Sequence, residues 1–165
     1  MIQNVFANKK VLVTGHTGFK GAWLTQWLVN LGADVCGYSI DIPTQPSLFE
    51  LLSLEKSVRD VRGDIRNLDS LTKVFKEFKP QFVFHLAAQP LVRLSYDEPK
   101  VTFDTNVGGT VNVLECIRMS NDVEVSVIVA TDKCYENFES TTGYKETDRL
   151  GGSDPYSASK AAAEI

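Results

Sequence analysis

Along this chain, short continuous apolar runs alternate with stretches in which apolar residues recur every three or four positions. Val11-Leu12-Val13 closes on Thr14-Gly15, the pattern of a parallel strand buried on both faces. Leu24, Trp27, Leu28 and Leu31 then follow helical spacing, and Gly32 is a natural stop. Asp34 to Ile40 reads as a second strand, and the loop Pro43-Thr44-Gln45-Pro46 leads to a short helix around Leu48 to Leu54. Val58 to Val61 predicts a short third strand. Leu68, Leu71, Val74, Phe75 and Phe78 predict a helix with Asp69 near its start and Pro80 past its end. Phe82 to Leu86 is a fourth apolar strand. Phe103, Val107, Val111, Leu114 and Ile117 mark the apolar face of a long helix starting near Pro99, and Val123 to Ala130 predicts a fifth strand. Asp154 and Pro155 are the residue types favoured at the N-cap and first position of a final helix.

Strand and helix alternate throughout, so the expected fold class is α/β: a doubly wound, Rossmann-like parallel sheet. A chain of 165 residues is long enough for one well-buried domain. Its last residues, Ala161-Ala162-Ala163-Glu164-Ile165, are strong helix formers with no stop signal after them. The expectation is therefore that residues 1–165 are an incomplete dinucleotide-binding domain whose C-terminal substrate-binding domain lies outside the chain.

Composition removes other classes. A hydrophobic fraction of 43% with 23% charged residues excludes disordered and fibrous chains. The net charge of −4, without a long basic run, gives no nucleic-acid-binding surface. No apolar run approaches bilayer length and residues 1–10 lack a signal-peptide pattern, so a cytoplasmic protein without a membrane partner is expected. Cys36, Cys116 and Cys134 are far apart, odd in number and without metal-ligand spacing, which suits buried free thiols in a reducing compartment. The two histidines, His16 and His85, form no cluster; no metal is expected, His85 reads as structural and His16 as a loop donor.

Candidate chemistry lies at two places. Gly15-His16-Thr17-Gly18-Phe19-Lys20-Gly21 joins the first strand to the first helix. There Gly15 permits a tight turn, Gly18 lets a pyrophosphate approach the backbone, and Gly21 lets helix and strand pack closely, with helix N–H groups facing the anion. The residue on the adenosine ribose belongs at the end of the second strand, where either Ser39 or Asp41 qualifies. With no Arg seen near them, NAD is favoured over NADP. The second place is the last helix, where Tyr156 and Lys160 form Y-x-x-x-K on one face. A free phenol, with a pKa of about 10, is a poor base, and a neighbouring ammonium lowers that barrier. Thr131, at the carboxyl end of the fifth strand, is placed to hold a substrate oxygen beside Tyr156.

With these residues in hand, the whole chain resembles the extended short-chain dehydrogenase/reductases, the sugar-nucleotide epimerase and dehydratase family. Gly15, Gly18 and Gly21 match the family's glycine turn. Gly63-Asp64-Ile65-Arg66 matches its adenine-contacting segment, and His85-Leu86-Ala87-Ala88-Gln89 the strand end that lines the cofactor. Asn106-Val107-Gly108-Gly109-Thr110 matches a helix motif whose Asn organises the site, and the two glycines suggest that the backbone is needed close there. Thr131, Tyr156 and Lys160 match the catalytic set. Thr131-Asp132-Lys133-Cys134-Tyr135 and residues 43–50 narrow the resemblance to the dehydratases of CDP-glucose, with Lys133 where other 4,6-dehydratases carry Glu. The resemblance implies bound NAD, a nucleotide-sugar substrate and a homodimer packed through the helices near 99–119 and after Pro155. It also implies Asp132 as acid at C6, and Lys133 as base at C5 or as a substrate anchor. A nucleotide-sugar 4-epimerase, a GDP-sugar dehydratase and a non-catalytic dinucleotide sensor are the alternatives. Arg93, Tyr96 and Asp97 lie in an expected loop that could border the sugar.

Overall fold

The computed structural model describes residues 5–139 and 141–165, which divide into two compact units. The first runs to Ala87 and resumes at Asn112–Val129. It holds a five-stranded, all-parallel sheet of β1 (Lys10–Thr14), β2 (Asp34–Ser39), β3 (Arg59–Arg62), β4 (Phe82–His85) and β5 (Val125–Ile128) in the order β3-β2-β1-β4-β5. Successive side chains of β1 point to opposite faces. Val11 and Val13 pack with Leu28 of α1 (Phe19–Asn30), while Leu12 packs with Leu71, Val74 and Phe75 of α3 (Leu68–Phe78) and Val113 of α6 (Gly109–Met119). Both faces are therefore covered, which is why the strands read as unbroken apolar runs. The connection order reverses between β1 and β4, the crevice where such sheets bind ligands. The short α2 (Leu48–Leu51) and a 3₁₀ turn (Leu54–Lys56) stand where a single short helix was expected.

The second unit comprises Ala88–Val111 and Ala130–Ile165. It contains α4 (Val92–Asp97), α5 (Pro99–Phe103), a π-helical turn (Asp104–Gly108), a 3₁₀ turn (Asp132–Cys134) and α7 (Pro155–Glu164). Helix α7 packs against α4, α5 and both of these turns. Its N-cap is Asp154, whose carboxylate accepts the Ser157 N–H at 2.9 Å.

Several expectations are corrected. β3 begins one residue later than expected, and β5 is four residues long rather than eight. As an edge strand beside β4 alone, β5 leaves Val125 and Val127 exposed. Trp27 is 56% exposed, because α1 turns Gly21, Ala22, Thr25 and Leu28 inward instead. The long helix near Pro99 forms, but Phe103, Val111 and Leu114 are exposed. Its buried positions include Thr102, Asn106 and Thr110. Internal partners make this possible: Thr102 donates to the Glu98 carbonyl at 2.9 Å and Thr110 to that of Asn106 at 2.7 Å. Gly108 has open space where a Cβ would stand, so no close approach explains it. The three cysteines are free and buried, and among the described residues no helix is long and apolar enough to cross a membrane.

Candidate active site

The glycine turn is shaped by contacts that a side chain would destroy. Gly15 has φ +74°, and a Cβ there would stand 2.7 Å from the Ala87 nitrogen; one on Gly21 would stand 2.0 Å from the Gly15 carbonyl oxygen. Gly18 is the N-cap of α1, with no side-chain cap and no acidic residue in the first turn. The N-terminal partial charge is thus left for an anion, and Phe19 and Lys20 are exposed on that turn. These residues fit a dinucleotide pyrophosphate. Thr14 fixes the opposite wall: its Oγ1 lies 2.7 Å from His85 Nδ1 and accepts the N–H groups of Leu86 and Ala87 at 3.2 Å each.

The two candidates for the ribose position differ in exposure. β2 ends at Ser39, which is buried, whereas Asp41 is exposed and offers its backbone carbonyl to Thr17 Oγ1 at 2.6 Å. Ser39 Oγ lies 2.8 Å from His16 Nδ1 and accepts the Thr17 N–H at 3.4 Å. His16 Nε2 lies 3.0 Å from Asp60, whose other oxygen accepts Arg62 Nη2 at 2.7 Å. His16 is fully buried within the turn; burial lowers its pKa, outweighing the opposing pull of Asp60. An arginine does stand by Ser39, since Arg62 is its register partner on β3. Farther along, Asp64 is held below the usual carboxylate range by its bond to the Arg66 side chain. The Ile65 side chain lies in the core, which leaves its backbone rather than its side chain to meet an adenine.

In the second unit, Tyr156 and Lys160 lie one turn apart on α7 and are both buried. Burial pushes the Tyr156 phenol above its ordinary pKa, opposed by the nearby Thr131 hydroxyl and reinforced by Asp132 and Asp154. The lysine therefore does not hold the phenol low, contrary to the expectation from spacing. Lys160 is itself lowered by burial, against the pull of Glu164. Thr131 caps the 3₁₀ turn, accepting the Lys133 N–H at 3.3 Å and donating to Asp132 at 3.1 Å; Asp132 and Lys133 are exposed. Beneath Tyr156 runs a buried polar network. Asn106 accepts the Gln89 N–H at 2.8 Å and donates to the Gln89 carbonyl at 3.1 Å and to Ser159 Oγ at 2.9 Å. Ser159 donates to the Tyr156 carbonyl at 2.7 Å, and Ser95 Oγ accepts the Tyr156 N–H at 3.1 Å. Ala88, half-buried, precedes this network.

Residues 12–165 match the family model described as GDP-mannose 4,6 dehydratase. The chain belongs to the GDP-mannose 4,6-dehydratase family. Among its relatives in this family and beyond, it is 50% identical to CDP-glucose 4,6-dehydratase of Salmonella typhimurium, over 99% of this chain and 45% of that protein. It is 31% identical to CDP-paratose 2-epimerase of Salmonella typhi, over 94% of this chain and 51% of that protein. Of solved structures, UDP-glucose 4-epimerase of Thermus thermophilus in complex with NAD superposes with a TM-score of 0.83 at 32% identity, over 94% of this chain and 48% of that one. The chain thus spans about half the length of the curated relatives it matches.

The structure also supplies residues that sequence reading missed in this family member: Thr14, Asp60 and Arg62 in the first unit, and Ser95, Thr102 and Ser159 in the second. One signal was present. Gly37 stands inside a strand, where a glycine marks a close approach; its missing Cβ would lie 2.2 Å from the His16 ring. Arg93, Tyr96 and Asp97 are exposed on α4, a helix where a loop was expected. Among the described residues no group of His, Cys, Asp and Glu could hold a metal ion.

Proposed function

We propose that the chain is the dinucleotide-binding and catalytic-tyrosine portion of an NAD-dependent nucleotide-sugar 4,6-dehydratase that takes CDP-glucose to the 4-keto-6-deoxy sugar. The observation that carries this reading is the pair Tyr156 and Lys160, buried one turn apart on α7, in the same unit as Thr131, which caps a turn whose next residues are an acid and an amine. The glycine cradle supports NAD as the resident cofactor, held by residues 15–21, Ser39, Asp64, Ile65, Leu86 and Ala87, with Ala88, Gln89, Asn106, Tyr156 and Lys160 as further contacts. When bound, NAD supplies a hydride acceptor for C4 and a hydride donor for C6. Tyr156 removes the C4 hydroxyl proton, with Lys160 one turn along the same side of α7. The ketone acidifies C5, whose proton Lys133 takes; Asp132 protonates the C6 hydroxyl, which leaves as water, and the C5 proton returns as C6 is reduced. The exposed Phe103, Val111 and Leu114 support a homodimer.

The decisive assay offers the complete protein CDP-, UDP-, GDP- and dTDP-glucose. A product that absorbs in strong base, greatest with CDP-glucose, is expected; an epimerised sugar without that absorbance defeats the dehydratase reading. For Lys133→Met, exchange of the C5 hydrogen with heavy water should fall by roughly a hundredfold or more, the size of a general-base contribution. Undiminished exchange removes Lys133 from the base role and leaves it an anchor.

A further inference from the structure

β2 ends on the hydroxyl-bearing Ser39, where dinucleotide folds place a carboxylate. We propose that Asp60, His16 and Ser39 form a relay that fixes the Ser39 hydroxyl as a hydrogen-bond acceptor, so that it receives the 2′-hydroxyl of NAD in place of that carboxylate and disfavours the 2′-phosphate of NADP. This rests on the dinucleotide reading above and specifies which dinucleotide the site prefers.

The direction of each bond follows from the partners. An ionised carboxylate only accepts, so at 3.0 Å from Asp60 the imidazole carries its proton on Nε2. Burial keeps His16 neutral, leaving Nδ1 a lone pair. The Ser39 hydroxyl, 2.8 Å from Nδ1, must therefore donate to it. With that proton committed, Ser39 Oγ presents only lone pairs; one meets the Thr17 N–H at 3.4 Å and the other remains for a donor. A ribose hydroxyl is a donor, whereas a phosphate dianion is not. Packing holds the relay in register: Gly37 leaves the slot for the imidazole, and the Phe49 ring meets it edge-on at 5.2 Å. Arg62 bonds the second Asp60 oxygen at 2.7 Å and lies over the Phe49 ring at 5.3 Å, so the cation nearest Ser39 in register is already engaged.

Asp60→Asn reverses the relay. The guanidinium of Arg62 can only donate, so it claims the new amide oxygen and turns the amide NH₂ towards His16 Nε2. The imidazole proton then moves to Nδ1, which donates to Ser39 and frees the hydroxyl to donate outward. Calorimetric titration of the full chain with NAD⁺ and NADP⁺ should show a preference for NAD⁺ that falls roughly tenfold in Asp60→Asn. Ser39→Ala should weaken NAD⁺ binding and make the ratio insensitive to Asp60→Asn. Nitrogen-15 spectra should show His16 protonated at Nε2 in the unmodified chain and at Nδ1 in Asp60→Asn. If Asp60→Asn does not fold, the His16 spectrum of the unmodified chain and the NAD⁺ loss in Ser39→Ala decide the matter. A wild-type His16 protonated at Nδ1, an unchanged NAD⁺ affinity in Ser39→Ala, or an unchanged ratio in a tautomer-switched Asp60→Asn overturns the relay while leaving NAD binding standing. If neither dinucleotide binds, both readings are overturned.

Discussion

An added Cβ at Gly37 would lie 2.2 Å from the His16 ring, whereas one at Gly108 meets nothing within 4 Å. Gly37→Ala is therefore expected to cost about 1–3 kcal/mol through overpacking, read as a lower unfolding midpoint. Gly108→Ala should be neutral or stabilising by up to about 1 kcal/mol, from helix propensity alone; a large loss at Gly108 would reveal a constraint that the open space does not. His16 also makes stability depend on pH. Its folded pKa is lowered from the ordinary 6.5, chiefly by burial and further by Arg62, against the raising effects of Asp60 and the Tyr38 carbonyl. The unfolded chain thus binds the proton first on acidification. The stabilising contribution is whole above 6.5 and is lost as pH falls from there to the lower folded value. Urea midpoints at about pH 7.5 and about pH 5.5 should fall farther in the unmodified chain than in His16→Asn. At this scale the glycine turn was legible because its logic is local. The His16–Asp60 bond spans 44 residues and could be seen only once β2 and β3 were in register.

Helix α7 shows what spacing reveals and what it omits. Asp154 and Pro155 announced its start, and the Asp154 carboxylate does cap the Ser157 N–H. Asp154→Ala should cost about 1 kcal/mol, measured by chemical denaturation. The four-residue interval placed Tyr156 and Lys160 on one side, but not the serines that grip the Tyr156 backbone from α4 and from α7 itself. The helix near Pro99 forms where its spacing put it, with a buried face that the apolar repeat does not mark. Apolar periodicity marks the face that avoids water only where the polar residues opposite lack internal partners, and here Thr102, Asn106 and Thr110 have them. In β5, β-branched residues signalled a strand correctly, but not that Val125 and Val127 would be exposed.

Across the molecule, strand–helix alternation was enough to anticipate a parallel sheet with helices on both faces, while strand order and the split into two units required coordinates. The exposed Phe103, Val111 and Leu114 bear on assembly at this scale. Sedimentation of the complete protein should report a dimer, and Val111→Glu should shift it towards monomer; an unchanged profile would move the interface elsewhere. The order β3-β2-β1-β4-β5 has a consequence for biogenesis. β1 gains its partner β2 early in synthesis, yet its other partner arrives 71 residues later, at the distance separating Thr14 from His85. Until that stretch emerges from the ribosome, Val11, Leu12 and Val13 present an open backbone edge, and this half-built sheet is the species on which chaperones and misassembly act.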